Sequence, residues 1–70
     1  MLNLLYTVKE VSELLHTNPT YVYKLINKGL LPALKLGSYK VRHEALDAFL
    51  MQFEGYDLTN IDNITKIVPN

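Results

Sequence analysis

The chain of 70 residues contains no cysteine, and this absence removes several kinds of chemistry. Without thiols the protein has no disulfide framework, no cysteine-bound zinc and no thiol nucleophile. No apolar run approaches the length of a membrane-spanning helix, and the N-terminal MLNLL lacks the basic residues and the length of a signal peptide. We therefore expect a soluble, cytoplasmic protein.

Patterns typical of an enzyme are missing as well. The sequence holds no pair of catalytic carboxylates, no nucleophile triad and no glycine-rich phosphate loop. Its two histidines, His16 and His43, have no ligand cluster around them that would hold a metal. A domain of this size buries only about 60% of the surface that its unfolded chain exposes, which leaves little room for a deep cavity. We expect a binding protein with no catalytic residue, metal or cofactor.

The formal net charge is zero, but the charges are unevenly distributed. No acidic residue occurs between positions 17 and 43, and all seven acidic residues lie outside that window. Such a run is usually just a solvated face, and it indicates an anion-binding surface only if folding gathers the charges on one side. The basic residues inside the window are Lys24, Lys28, Lys35, Lys40 and Arg42.

A first helix is predicted after Thr7. Thr7 and Glu10 have the spacing of a capping box, in which each side chain satisfies a backbone amide at the start of a helix. His16 is expected to end this helix at positive φ, which His tolerates better than β-branched residues do. The apolar residues that share one face of this helix are Val8, Val11, Leu14 and Leu15.

A second helix is predicted after a very short turn. Asn18 is a favoured N-cap, Pro19 suits the first helical position, and Gly29 provides a left-handed exit. Two short helices joined by a tight turn are typical of a helix-turn-helix, in which the second helix meets base edges in the major groove of DNA. The narrow apolar stripe that would dock on the first helix consists of Val22, Leu25 and Ile26.

The opposite face of the second helix is polar and free of acidic residues. We interpret it as a DNA-contacting face, although its lysines could equally be solubilising and its other polar residues exposed by chance. Tyr23 lies at the margin, where it could also be a core aromatic with its hydroxyl at the surface. The residues of this face are Thr20, Tyr21, Lys24, Asn27 and Lys28.

Apolar and polar residues alternate on both sides of Gly37-Ser38, which predicts a two-stranded hairpin closed by a type II′ turn. The predicted register places Leu36 opposite Tyr39, Lys35 opposite Lys40 and Leu34 opposite Val41. Two lysines in cross-strand positions repel each other, so this register favours a bound anion such as a DNA phosphate. The alternative is an edge strand that its lysines protect from aggregation.

A third helix is predicted from about His43 or Glu44, and Gly55 ends it. Its core-facing stripe is Ala45, Leu46, Phe49, Leu50 and Phe53.

Residues 6–50, YTVKEVSELLHTNPTYVYKLINKGLLPALKLGSYKVRHEALDAFL, resemble the excisionase-type winged helix-turn-helix domains, relatives of the MerR-type DNA-binding domain. The matching segments are TVKEV at 7–11, VYKLI at 22–26, LPA at 31–33, KLG at 35–37, KVR at 40–42 and ALDAFL at 45–50. The resemblance implies a mainly α fold with a small β-hairpin wing. We predict a winged helix-turn-helix domain over residues 1–54 and a C-terminal tail over residues 55–70.

The resemblance also implies which residues contact double-stranded DNA. Thr20, Tyr21 and Lys24 would enter the major groove, and Tyr23 and Lys28 would touch the backbone. The wing residues that would reach the flanking minor groove or its phosphates are Ser38, Tyr39, Lys40 and Arg42. Pro19, Asn27 and Lys35 complete the predicted set.

The tail carries an apolar residue at every third position, a spacing that drifts around an ideal helix. It could pack back on the domain, remain disordered, or order only against a partner. Excisionases similarly have a C-terminal extension that engages an integrase or a neighbouring excisionase. The apolar residues are Leu58, Ile61, Ile64 and Ile67.

These patterns predict a small architectural protein that binds double-stranded DNA. The resemblance favours an excisionase, or recombination directionality factor, that assists a phage or transposon integrase and associates with further copies of itself on DNA. One alternative is a transcriptional regulator that uses the same face. The other is an adaptor whose Tyr-rich helix face and tail bind another protein and no DNA.

Overall fold

The computed structural model describes residues 4–67, and within that range it contains three helices and five short strands. The helices are α1 (Val8–Leu14), α2 (Pro19–Asn27) and α3 (His43–Phe53). The strands are β1 (Leu5–Thr7), β2 (Leu34–Leu36), β3 (Ser38–Arg42), β4 (Tyr56–Asp57) and β5 (Thr65–Lys66). Three helices with a small antiparallel sheet agree with the expectation of a mainly α fold that carries a small β-hairpin. None of the helices in residues 4–67 is both long and apolar enough to cross a membrane.

The predicted boundaries of α1 are confirmed. The amide of Thr7 donates to Glu10 Oε1 at 2.8 Å, and the amide of Glu10 donates to Thr7 Oγ1 at 3.1 Å, which completes the capping box. His16 follows the helix at φ 57°, in the left-handed region. A single residue, Thr17, then separates His16 from the cap of α2.

The predicted boundaries of α2 are confirmed too. Asn18 Oδ1 accepts a hydrogen bond from the amide of Tyr21 at 2.9 Å, and Pro19 occupies the first helical position. Gly29 leaves the helix at φ 77°. The amides of Leu30 and Leu31 then both donate to the carbonyl of Leu25, so the chain turns tightly towards the sheet.

A single apolar core joins the helices to the sheet. Its fully buried members come from α1, α2, the following loop and β3, and they are Val11, Val22, Leu25, Leu31 and Val41. Leu14 and Leu50 were expected to face this core, and that expectation is wrong, because they are 52% and 48% exposed. The helical stripe is wider than the area that so small a domain can cover, and Ser12 takes a buried position on α1.

Strand β1 was not predicted, and it makes the sheet three-stranded in the order β1-β3-β2. Tyr6 in β1 lies opposite Val41 in β3, and the amide of His43 donates to the carbonyl of Leu4 at 3.0 Å. A strand of three residues is too short to show an alternating pattern in the sequence.

The predicted register of the β2–β3 hairpin is wrong by one residue. The chain reverses at Gly37 alone, at φ 80°, and the observed pairs are Leu34 with Lys40, Lys35 with Tyr39 and Leu36 with Ser38. Since a one-residue slip moves side chains to the opposite face, the two lysines are not opposite each other. The argument from their repulsion therefore fails. The reversal at a single residue, instead of the predicted two-residue turn, sets this register.

Leu25→Ala should lower the free energy of unfolding by about 2–5 kcal/mol, because the substitution empties a fully buried position. Leu36→Ala removes the same atoms from a side chain that is 60% exposed, and should change that free energy by less than about 0.5 kcal/mol. Urea unfolding followed by circular dichroism measures both. Equal losses in the two variants would contradict the described core.

Candidate nucleic-acid interface

The exposed side of α2 brings together most of the predicted DNA-contacting residues of this helix. Because Val22 and Leu25 are buried, the helical period turns the polar residues on the opposite side of α2 to solvent. No acidic residue occurs in α2. The exposed members of the predicted set are Pro19, Thr20, Tyr23, Lys24, Asn27 and Lys28.

The β2–β3 hairpin flanks one edge of this exposed side. The rings of Tyr23 and Tyr39 meet edge to face with their centroids 6.1 Å apart. The ammonium of Lys35 lies 4.4 Å from the centroid of the Tyr39 ring, at cation–π distance. Tyr23 is 40% exposed and is therefore not a core residue. Its contact with Tyr39 fixes the hairpin beside α2.

The remaining predicted hairpin residues lie on the other face of the sheet. Ser38, Lys40 and Arg42 alternate with Tyr39 and Val41 along β3, and successive side chains point to opposite faces. The Lys40 ammonium donates to Ser38 Oγ at 2.6 Å. Arg42 Nη2 lies 3.4 Å from a carboxylate oxygen of Glu44 in α3. The predicted hairpin residues are thus divided between two surfaces.

The C-terminal tail flanks the opposite edge of α2, which the sequence patterns did not reveal. The hydroxyl of Tyr21 donates to the backbone carbonyl oxygen of Leu58. Lys28 forms an ion pair with Asp62. Tyr21 is half-buried by this contact, and burial, followed by the negative charge of Asp57, raises the pKa of its hydroxyl.

An open groove of about 590 Å³ runs between α2 and the tail. One wall consists of Tyr21, Lys24 and Asn27 from α2 and Lys28 at its C-cap. The other consists of Thr59, Asn60, Ile61 and Asp62 from the tail. Four of the predicted DNA-contacting side chains therefore lie next to tail residues.

The described part of the tail is folded. Strands β4 and β5 pair through Tyr56 with Lys66 and through Asp57 with Thr65. Leu58 and Ile61 pack against the core, so this part of the tail takes the first of the three arrangements considered for it. Ile67 is 61% exposed, and its amide donates to the carbonyl of Gly55 at 2.9 Å.

Two side chains shape the turn between these strands. The amide of Thr59 donates to Asp57 Oδ1 at 2.9 Å, and the amide of Asp62 donates to Asn60 Oδ1 at 3.0 Å. Hydrogen bonding from Thr59 lowers the pKa of Asp57. The ion pair with Lys28 lowers the pKa of Asp62. Both carboxylates are therefore charged at neutral pH beside the basic side of α2.

Both histidines lie at positions where they support the fold. Tyr6 hydroxyl and His43 Nδ1 are hydrogen-bonded at 2.9 Å, which joins β1 to the start of α3. His16 serves the turn between α1 and α2. No cluster of His, Asp or Glu within residues 4–67 has the arrangement that a metal ion needs.

A family model described as a helix-turn-helix domain matches residues 5–53, which is more than half of the chain. The chain belongs to this helix-turn-helix family. The matched range runs from the first residue of β1 to the last residue of α3, and the tail lies outside it. Searches of curated proteins and of solved structures gave no significant match. Membership in the helix-turn-helix family suggests DNA as the partner, with α2 as the second helix of the motif.

Lys28→Met should raise the pKa of Asp62 towards its ordinary value of 3.8, because the lysine is the main cause of the lowered value. The pKa of Asp57 should stay where it is, since Thr59 holds it low. NMR titration of the carboxyl carbons measures both groups in one sample.

The same titration gives the pH window of the tail contact. Because the folded-state pKa of Asp62 is below 3.8, the ion pair stabilises the folded tail above that value and is lost as pH falls through the lowered pKa. An Asp62 that titrates at its ordinary value in the unaltered protein would contradict the ion pair.

Proposed function

We propose that this helix-turn-helix protein binds double-stranded DNA by inserting α2 into the major groove, with the β2–β3 hairpin as a wing on the flanking backbone. The observation that carries the proposal is the exposed, acid-free side of α2 beside the hairpin. Lysines on this side of α2 attract the phosphate backbone, and polar side chains on the helix read base edges.

The residues of α2 have distinct roles in this proposal. Thr20 lies in the first turn, which is the part of a recognition helix that meets base edges. Lys24 follows one turn later, and Asn27 has the paired donor and acceptor that match adenine in the major groove. Tyr23 and Lys28 lie towards the two edges of the exposed side and contact the backbone.

The hairpin contributes through two surfaces. Lys35 and Tyr39 lie next to α2 and contact the phosphates closest to the major-groove site. Lys40 and Arg42 point to the other face of the sheet, so they contact a different stretch of backbone or the minor groove beyond it. Ser38, next to the turn, contacts the DNA at the end of the hairpin.

For the biological role we propose an excisionase that acts as an architectural protein beside a recombination site, binds in several copies and assists an integrase without a catalytic step of its own. Support comes from the resemblance of residues 6–50 and from a folded tail outside the helix-turn-helix match that offers a further binding surface. In a reconstituted integrase reaction, added protein should shift the outcome towards excision. A transcriptional regulator that uses the same face would leave the direction of that reaction unchanged.

Lys24→Glu should weaken duplex binding by about tenfold or more and reduce the slope of log K against log salt by about one, because the substitution replaces a positive charge in the major groove with a negative one. Lys9→Glu carries the same charge change on an exposed position of α1 and should keep the slope. Fluorescence anisotropy across a salt series measures binding, and circular dichroism checks that both variants fold.

Equal effects of the two substitutions would show that the assigned face is wrong. Absence of salt-dependent binding in the unaltered protein would favour the adaptor, since protein contacts need not release counterions.

A further inference from the structure

The tail lies along nearly the whole length of α2. Its two polar contacts with the helix are at Tyr21 and Lys28, seven residues apart. Seven residues are about two turns and about 10 Å of helix, so both side chains lie on one side of it. Residues 57–62, which we call the masking segment, therefore follow the same side of the helix that carries the proposed DNA contacts.

The masking segment competes chemically with DNA. The carboxylate of Asp62 holds the ammonium of Lys28, which a phosphate oxygen would otherwise accept. The hydroxyl of Tyr21 is donated to Leu58 and is not available to a base or a phosphate. Asp57 and Asp62 both carry negative charge, and like charge at a DNA-facing surface opposes binding.

The competition is weak enough to be reversed. Lys28 and Asp62 have side chains that are 53% and 67% exposed, and exposed ion pairs contribute little to stability. Leu58 and Ile61 pack against the core and also hold the segment in place. Asp62 therefore stays close to Lys28 when the ion pair opens, and its effective concentration there remains high. The expected effect is a lowered affinity for DNA rather than its loss.

We infer that the masking segment is an autoinhibitory contact, in which the tail occupies part of the recognition surface of α2 and duplex DNA must displace Asp62 from Lys28 to bind fully. This inference rests on the proposed function, because it assumes that α2 is the DNA-binding helix.

Asp62→Asn tests the inference, with Asp47→Asn as the matched control. Both substitutions remove one negative charge, but Asp47 is an exposed residue of α3 and contributes nothing to the groove beside α2. Anisotropy with a random duplex across a salt series should show that Asp62→Asn binds at least about threefold tighter than Asp47→Asn. Its slope of log K against log salt should also steepen, by up to about 0.9, because Lys28 contacts a phosphate in every bound molecule of this variant, whereas Asp62 still holds Lys28 in part of the bound Asp47→Asn molecules.

The outcomes distinguish the autoinhibition by the masking segment from the DNA binding by α2. Tighter binding and a steeper slope in Asp62→Asn alone support the masking segment. Salt-dependent binding that is the same in both variants overturns the masking segment and leaves the DNA-binding function in place. If neither variant nor the unaltered protein binds duplex at the lowest salt, the proposed function fails and the masking inference fails with it.

Discussion

The packing of α2 into the core decides which of its residues can reach a partner. Val22 and Leu25 are completely buried, and they share one core with Val11 from α1 and Val41 from β3. Since this side of the nine-residue helix is fixed against the core, the helical period fixes the direction of its remaining side chains. The polar side of α2, the position of the hairpin beside it and the position of the tail all follow from this burial.

The local features of the fold could be predicted from the sequence because the residues that cause them are neighbours in the chain. The capping box of Thr7 and Glu10, the cap at Asn18 and the left-handed His16 each depend on a few consecutive residues. The hairpin register could not be predicted, because the alternation of apolar and polar residues fits a two-residue turn at Gly37-Ser38, whereas the chain reverses at Gly37 alone. Leu14 and Leu50 were assigned to the core for a related reason: periodicity gives the direction of a side chain but not whether anything covers it.

In the candidate site, too, features set by neighbouring residues could be predicted and contacts between distant residues could not. The residues on the exposed side of α2 could be predicted from the sequence, because helical spacing separates its polar residues from its apolar ones. The contact between Tyr21 and Leu58 joins residues 37 positions apart, and no short-range pattern records it. It changes the interpretation of Tyr21, which was expected to be free for the major groove and is instead half-buried against the tail. The signal in the sequence was indirect: acidic residues occur in the tail and in α3, and none occurs between positions 17 and 43.

The net charge of the chain is zero, but the fold places opposite charges against each other at α2. Lys28 and Lys24 belong to the acid-free middle of the sequence, and Asp62 from the tail lies against the first and influences the second. The basic side of α2 is therefore partly neutralised by a segment of its own chain. A net charge near zero is thus compatible with DNA binding, since the distribution of charge rather than its sum determines which surface attracts phosphate.

Amide chemical-shift mapping with a short random duplex at low salt tests the central claim most directly, because it reports at once on every described residue except the prolines. The account predicts that the largest changes fall on α2, on the β2–β3 hairpin and on residues 57–62, whose contact with α2 the DNA replaces. Changes confined to α3 and β1, or no changes at all, would contradict it.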